Sequence, residues 1–394
     1  MAVFALVSCH FGDGESELYK LSKKSRSLSY GVNLGLVTNF ETNDSIMDLG
    51  PDGLCLNFGL SADIAVMGNE FCMEPDAEGV TVWPYPVILS YKEYNDFSPK
   101  YEDGRSVLSF DYMAYGKHGV GEDYATRISY FYPASKAVDR EGNRLKARAD
   151  YIPLDFVGQD GTLQSVRRKY FAALGTASAI CSKSSVVMRD SAHCQAGHDH
   201  ASMASQIVLL DPKVAIVRLS LVVPAQRDFP LLQYLQSQNL SGHNYYVQQI
   251  ELINRRPEPA GISKTNLNLE TGWMEADALS LSTLYLNDSR SFWMHEQIME
   301  ETPQSLVKVG GSDATWGTLI YVALPCTQQG CLDMDLDIVV HIGSTGASMD
   351  QSYSLYGTVQ SIELHEGCYY ISSPVFLYRD KENIGKSAQL YLVP

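Results

Sequence analysis

Residues 316–349 read WGTLIYVALPCTQQGCLDMDLDIVVHIGSTGASM, and their alternation sets the architecture. In the second half, Leu332, Met334, Leu336, Ile338, Val340 and Ile342 share one face. Asp333, Asp335, Asp337, Val339 and His341 share the other. Successive strand side chains point to opposite faces, so this is a half-buried β-strand with an acidic outer row. Leu319 to Leu324 is a nearly continuous apolar run, as a more deeply buried strand would be. The polar loop Thr327-Gln328-Gln329-Gly330 lies between them, and two antiparallel strands joined by a tight turn is the simplest expectation.

Outward from this pair the pattern stays β. Val32, Leu34 and Leu36 alternate, as do Leu54, Leu56, Phe58 and Leu60. Residues 107–115, 125–132, 206–210, 214–223, 245–253 and 278–286 are further strand-like runs of aromatic and β-branched residues. The tail after residue 350 adds short strands at 368–371 and 388–393. One helix is expected over Thr162–Leu174, with Leu163, Val166, Tyr170 and Leu174 at helical spacing and Asp160 or Thr162 as its cap. A second, short helix is expected over Pro230–Gln238. The strands fall in two blocks around the first helix. The expected fold is therefore all-β, a jelly-roll β-sandwich of one or two β-domains with one or two short helices. Its expected divisions are a β-rich region over 1–160, the sandwich over 161–350 and an extension over 351–394.

Composition narrows the function. Asp plus Glu is 46 against 30 Lys plus Arg, a net charge of −16. Such a chain makes little direct contact with nucleic acid, whose binding depends on neutralising phosphates. No apolar window is long enough to span a bilayer. The 8 cysteines are scattered without a disulfide framework, which points to a reducing compartment. Cys326 and Cys331 flank the loop and are expected to be free thiols. Leu6-Val7-Ser8-Cys9 has the residue types of a lipoprotein cleavage box. Its apolar run is short and has no basic residue before it, so a first strand is expected there instead.

Two clusters are candidates for chemistry. His193, Cys194, His198 and His200 offer the nitrogen and sulfur donors that zinc prefers, although no second paired set stands at a suitable distance. A polar surface loop is the plainer account of them. Asp333, Asp335 and Asp337 form a ladder of carboxylates about 6.5–7 Å apart. Calcium, or Lys or Arg from a neighbouring strand or subunit, would offset their repulsion. The plainer account is a solvent-facing edge that discourages aggregation. No G-x-S-x-G elbow, phosphate loop or dinucleotide fingerprint is present, so no enzyme is expected.

Trp316–Pro325, Met334–Gly343 and Tyr353–Gly357 resemble the last two strands of jelly-roll capsid proteins from picorna-like and related small icosahedral RNA viruses. The resemblance implies a viral structural protein that self-assembles into an icosahedral shell, located in the virion and assembled in the host cytoplasm. Its implied partners are itself, other coat proteins and a host receptor; no cofactor is expected beyond calcium held by the aspartate row at an interface. Two other classes remain: a β-sandwich carbohydrate-binding module or hydrolase using Trp83 or Trp273, and a metal-dependent enzyme using His193, His198 and His200.

Overall fold

The computed structural model describes residues 26–36, 62–68, 85–90, 100–102, 105–116, 124–147, 149–181, 207–223, 244–256, 261–286, 316–345, 352–385 and 387–392. In chain order the strands begin with β1 (Arg26–Leu36), β2 (Ile64–Gly68), β3 (Val87–Leu89), β4 (Lys100–Glu102), β5 (Arg105–Gly116) and β6 (Tyr124–Tyr132). Next come β7 (Tyr151–Asp155), β8 (Ala173–Cys181), β9 (Ile207–Pro212), β10 (Val214–Val223), β11 (Asn244–Asn254), β12 (Lys264–Asn268), β13 (Met274–Ala276) and β14 (Thr283–Leu286). The last six are β15 (Trp316–Pro325), β16 (Cys331–Thr345), β17 (Ser352–His365), β18 (Tyr369–Ser372), β19 (Val375–Phe376) and β20 (Leu390–Leu392). Among the described residues one α-helix is present, the short α1 (Leu163–Ser165), which runs on into a π-type turn over Val166–Tyr170. The chain is all-β, as its periodicity requires.

The chain forms two compact units. The first contains Leu60–Asp150, Leu174–Leu210 and the strand that ends at Leu36. It is an eight-stranded sheet in the order β3-β2-β6-β8-β9-β1-β5-β4. β1 pairs antiparallel with β5 and parallel with β9. Val32 and Leu34, the alternating residues of β1, are buried, as are Ile64, Val66, Ile128 and Phe131. Gly175 of β8 lies so close to β9 that an added Cβ would meet the Leu209 carbonyl at 2.6 Å, so only glycine fits there.

The second unit contains Tyr151–Ala173 and Asp211–Pro394. It has three sheets: β15-β10-β18-β20 with β19 also on β10, β14-β11-β16-β17, and β13-β12-β7. The inner row of β16 is fully buried at Leu332, Met334, Leu336, Ile338 and Val340. Each such side chain contributes about 1.5–3 kcal/mol relative to exposure.

Two expectations about the 316–349 stretch are corrected here. β15 and β16 do not form a hairpin ladder. β15 pairs antiparallel with β10, and β16 lies in the other sheet between β11 and β17. The reason is burial. Paired in one sheet, β15 would set one apolar face beside the acidic row of β16. In its own sheet, beneath α1 and the following turn, Ile320 to Leu324 are all buried. The acidic row is not at a sheet edge either, since β16 has a strand on each side.

The helix expected over Thr162–Leu174 is shorter than its periodicity suggests. Thr162 caps it, its hydroxyl accepting a hydrogen bond from the Ser165 amide. Leu163, Val166 and Tyr170 are buried as expected. Ala173 and Leu174 belong to β8, because the chain there joins the sheet of the first unit. The helix expected at Pro230–Gln238 lies outside the described residues.

Candidate functional site

The strongest concentration of chemistry in unit 2 is where β16 begins and β17 ends. Gln329 and Gly330 both have positive φ, 53° and 88°. Gln328 and Cys331 exchange backbone hydrogen bonds across them, which makes a two-residue tight turn. A Cβ on Gly330 would stand 2.8 Å from the Trp273 ring, so glycine is required for space as well as for backbone. This turn sets Cys331 opposite His365, and the next row sets Asp333 opposite Glu363. Cys331 Sγ lies 3.1 Å from His365 Nδ1. His365 Nε2 lies 3.3 Å from Glu363 Oε1.

Beneath this surface group, Lys213 Nζ meets Glu366 Oε1 at 2.8 Å and sits over the Trp273 ring. Burial pushes the Glu366 carboxyl above its usual range, and the Lys213 ammonium only partly opposes that. Glu366 Oε2 is buried without a hydrogen-bond partner. Cys326, Cys331 and Cys368 are all free thiols. Burial comes first in raising each of them, with neighbouring carboxylates adding to it for Cys331. Burial also pushes the Tyr370 hydroxyl up to about 12, although the His365 amide donates to it. These thiols stay protonated at neutral pH, which makes them poor nucleophiles.

Asp335 and Asp337 share one cation. Arg255 follows β11, and its guanidinium pairs with Asp335 Oδ1 and lies 3.3 Å from Asp337 Oδ1. Asn254 fixes the backbone there, donating to the Asp333 carbonyl and accepting from the Asp335 amide. Opposite Asp335, β17 carries an extra residue, so the ladder bulges at this point. The neighbouring-strand arginine weighed for this row is thus present. In sequence it read only as part of Arg255-Arg256-Pro257, the end of a strand.

Further along the same strands, His341 Nε2 lies 2.8 Å from Glu251 Oε1, and Ser354 Oγ lies 3.1 Å from His341 Nδ1. The residue types are those of a nucleophilic triad. Ser354 is nevertheless in mid-strand, paired directly across from His341, and not on the sharp exposed turn that a nucleophile elbow uses. The row ties three adjacent strands together across their outer face.

His193, Cys194, His198 and His200 lie outside the described residues, as does Trp83. Trp273 is partly exposed and packs against Gly330 and Lys213. His365, Glu363, Glu366, Cys368 and Lys213 had no signal in the sequence, because they come together only when β10, β16, β17 and β18 pair. No helix among the described residues is long and apolar enough to cross a membrane.

No protein-family model and no curated protein matches the chain. Solved structures do. A protein of Bacteroides eggerthii named as a cell adhesion protein matches at a TM-score of 0.40 and 8% identity, over 93% of this chain and 96% of that one. A fimbrial assembly protein of Parabacteroides distasonis matches at 0.36 and 8%, over 93% and 96%. The fimbrial anchor protein Mfa2 of Porphyromonas gingivalis matches at 0.31 and 6%, over 93% and 99%.

These neighbours are bacterial fimbrial and cell-adhesion proteins, and they overturn the viral capsid expectation. The virion location, the coat-protein and host-receptor partners and the icosahedral shell fall with it. The carbohydrate-binding or hydrolase reading and the metal-enzyme reading gain no support. The physical reason for the misreading is that an apolar strand, a turn and an alternating strand recur wherever a sheet is half-buried. Such a pattern specifies strands without specifying their partners.

Proposed function

We propose that this chain is a structural interaction protein of the bacterial surface, of the fimbrial or adhesive kind, that joins a protein partner at an open sheet edge. The edge geometry of unit 2 carries the proposal. β15 is the outer strand of its sheet, and the buried Gln159 amide covers it: Nε2 donates to the Ala323 carbonyl and Oε1 accepts from the Ala323 amide, both at 2.9 Å. The Gly161 carbonyl accepts from the Tyr321 amide beside it. β14 is covered by a bridge from Gln159 to Leu286, and the Gly158 amide donates to the Tyr285 carbonyl. β17 is covered by bridges to Tyr378 and Ala388.

β20, a terminal strand of its sheet, has no such cover among the described residues. It also shows two large apolar side chains to solvent, Tyr391 at 50% and Leu392 at 54% exposure. Exposed edges with apolar side chains are where proteins add a strand from a partner.

The test is a photo-crosslinking amino acid at position 391 in the source cells, with adducts identified by mass spectrometry. An adduct with another surface protein is expected, and it should disappear when Leu392 is changed to Lys. No adduct at 391, with a working control elsewhere, would overturn the proposal.

A further inference from the structure

We propose that Cys331, His365 and Glu363 form a binding site for a zinc-like divalent cation, independent of the edge at β20. Each of the three offers one ligand atom, and these atoms lie within 4.8 Å of one another. A thiolate, an imidazole and a carboxylate are the donor types that zinc takes, at about 2.3 Å for sulfur and about 2.0–2.2 Å for nitrogen and oxygen. Ligand atoms on one tetrahedral ion are then roughly 3–4 Å apart. The 3.1 Å Sγ–Nδ1 and 3.3 Å Nε2–Oε1 contacts reach different nitrogens of one imidazole, and an ion takes only one of them, so the exposed His365 and Glu363 side chains turn to bring the three donors around it.

The backbone fixes the donors in advance. Cys331 and His365 are direct partners across the β16–β17 ladder, and Glu363 stands one row along on the same face. The Gln329-Gly330 turn holds Cys331 at the start of its strand, and the Tyr370 hydroxyl accepts from the His365 amide. Cys331 is only partly buried and the other two are exposed, so the ion reaches the site from solvent and keeps one position open to water. On binding, the S–H bond of Cys331 breaks, its proton passes to solvent and a metal–sulfur bond forms with no change of oxidation state. Affinity therefore rises with pH, because binding displaces that proton. The bound ion clamps the start of β16 to the end of β17.

The experiment is a cobalt titration of the full chain under reducing conditions, read by the thiolate-to-cobalt absorption band, followed by displacement with zinc. One equivalent of cobalt should develop the band, and zinc should bleach it. Cys331→Ser should abolish the band, and His365→Asn and Glu363→Gln should each weaken binding at least about tenfold. A His198→Ala, His200→Ala double variant should leave the band unchanged. A reduced chain that gives no band overturns the proposal, as does a band that survives Cys331→Ser or disappears in the double variant. If Cys331→Ser fails to fold, unchanged cobalt affinity in both His365→Asn and Glu363→Gln overturns it equally.

Discussion

Gln159 shows how much one residue can hold. It is fully buried, and both ends of its amide bond the backbone of β15 as a neighbouring strand would. Gln159→Ala leaves the Ala323 amide and carbonyl without these partners inside the protein. We expect a loss of about 2–4 kcal/mol, measured by urea unfolding, since each buried group left unsatisfied costs about 1–3 kcal/mol. Asp160, its neighbour, contributes through charge. Partial burial pushes its carboxyl up, but hydrogen bonds from Thr162 and Ser165 and the charge of Lys169 outweigh that and leave it below its usual value. A depressed carboxylate stabilises the fold at pH values above its unfolded value, near 4, and loses that contribution as pH falls through its folded value. Asp160→Asn should therefore cost about 0.5–1 kcal/mol at neutral pH, a low figure because solvent screens the group. The difference from the parent should close below about pH 4 in thermal melts run across pH.

At the scale of elements, the turn between β15 and β16 directs the chain from one sheet to the other. Gly330 has a left-handed φ of 88° and no room for a Cβ against Trp273. Gly330→Ala should destabilise by about 1–3 kcal/mol through strain and displacement of the indole. It should also weaken any cobalt binding at Cys331, which the turn positions. Both effects are measurable on one preparation by denaturation and by the absorption band. β16 itself was legible as a strand, including which residues face inward. That it would be central and not an outer strand was not legible, because Arg255 just after β11 and the bulge on β17 enter only through pairing.

At the scale of the whole molecule, three edge strands of unit 2, β14, β15 and β17, are closed by short segments taken from distant parts of the chain. Residues 158–161 cover β14 and β15, and Tyr378 and Ala388 cover β17. β20 is left with apolar side chains in solvent. Leu392→Lys, which should abolish the crosslink at 391, is expected to shift stability by less than about 0.5 kcal/mol, because the position is exposed. A much larger loss of stability would make Leu392 a core residue and remove the case for docking.

The sequence by itself determined that this is an all-β protein. Strand periodicity is local, and the apolar residues at every second position of β16 identify its buried face without reference to any partner. The Thr162 cap and the tight Gln329-Gly330 turn are equally local. Only the tertiary structure decided which strands pair, that β15 and β16 belong to different sheets, and that Cys331 meets His365 and Glu363. Those outcomes depend on burying the apolar residues of many strands together. A pattern that repeats every two residues fits many partners equally well, so the competition among them is settled by packing across the whole unit.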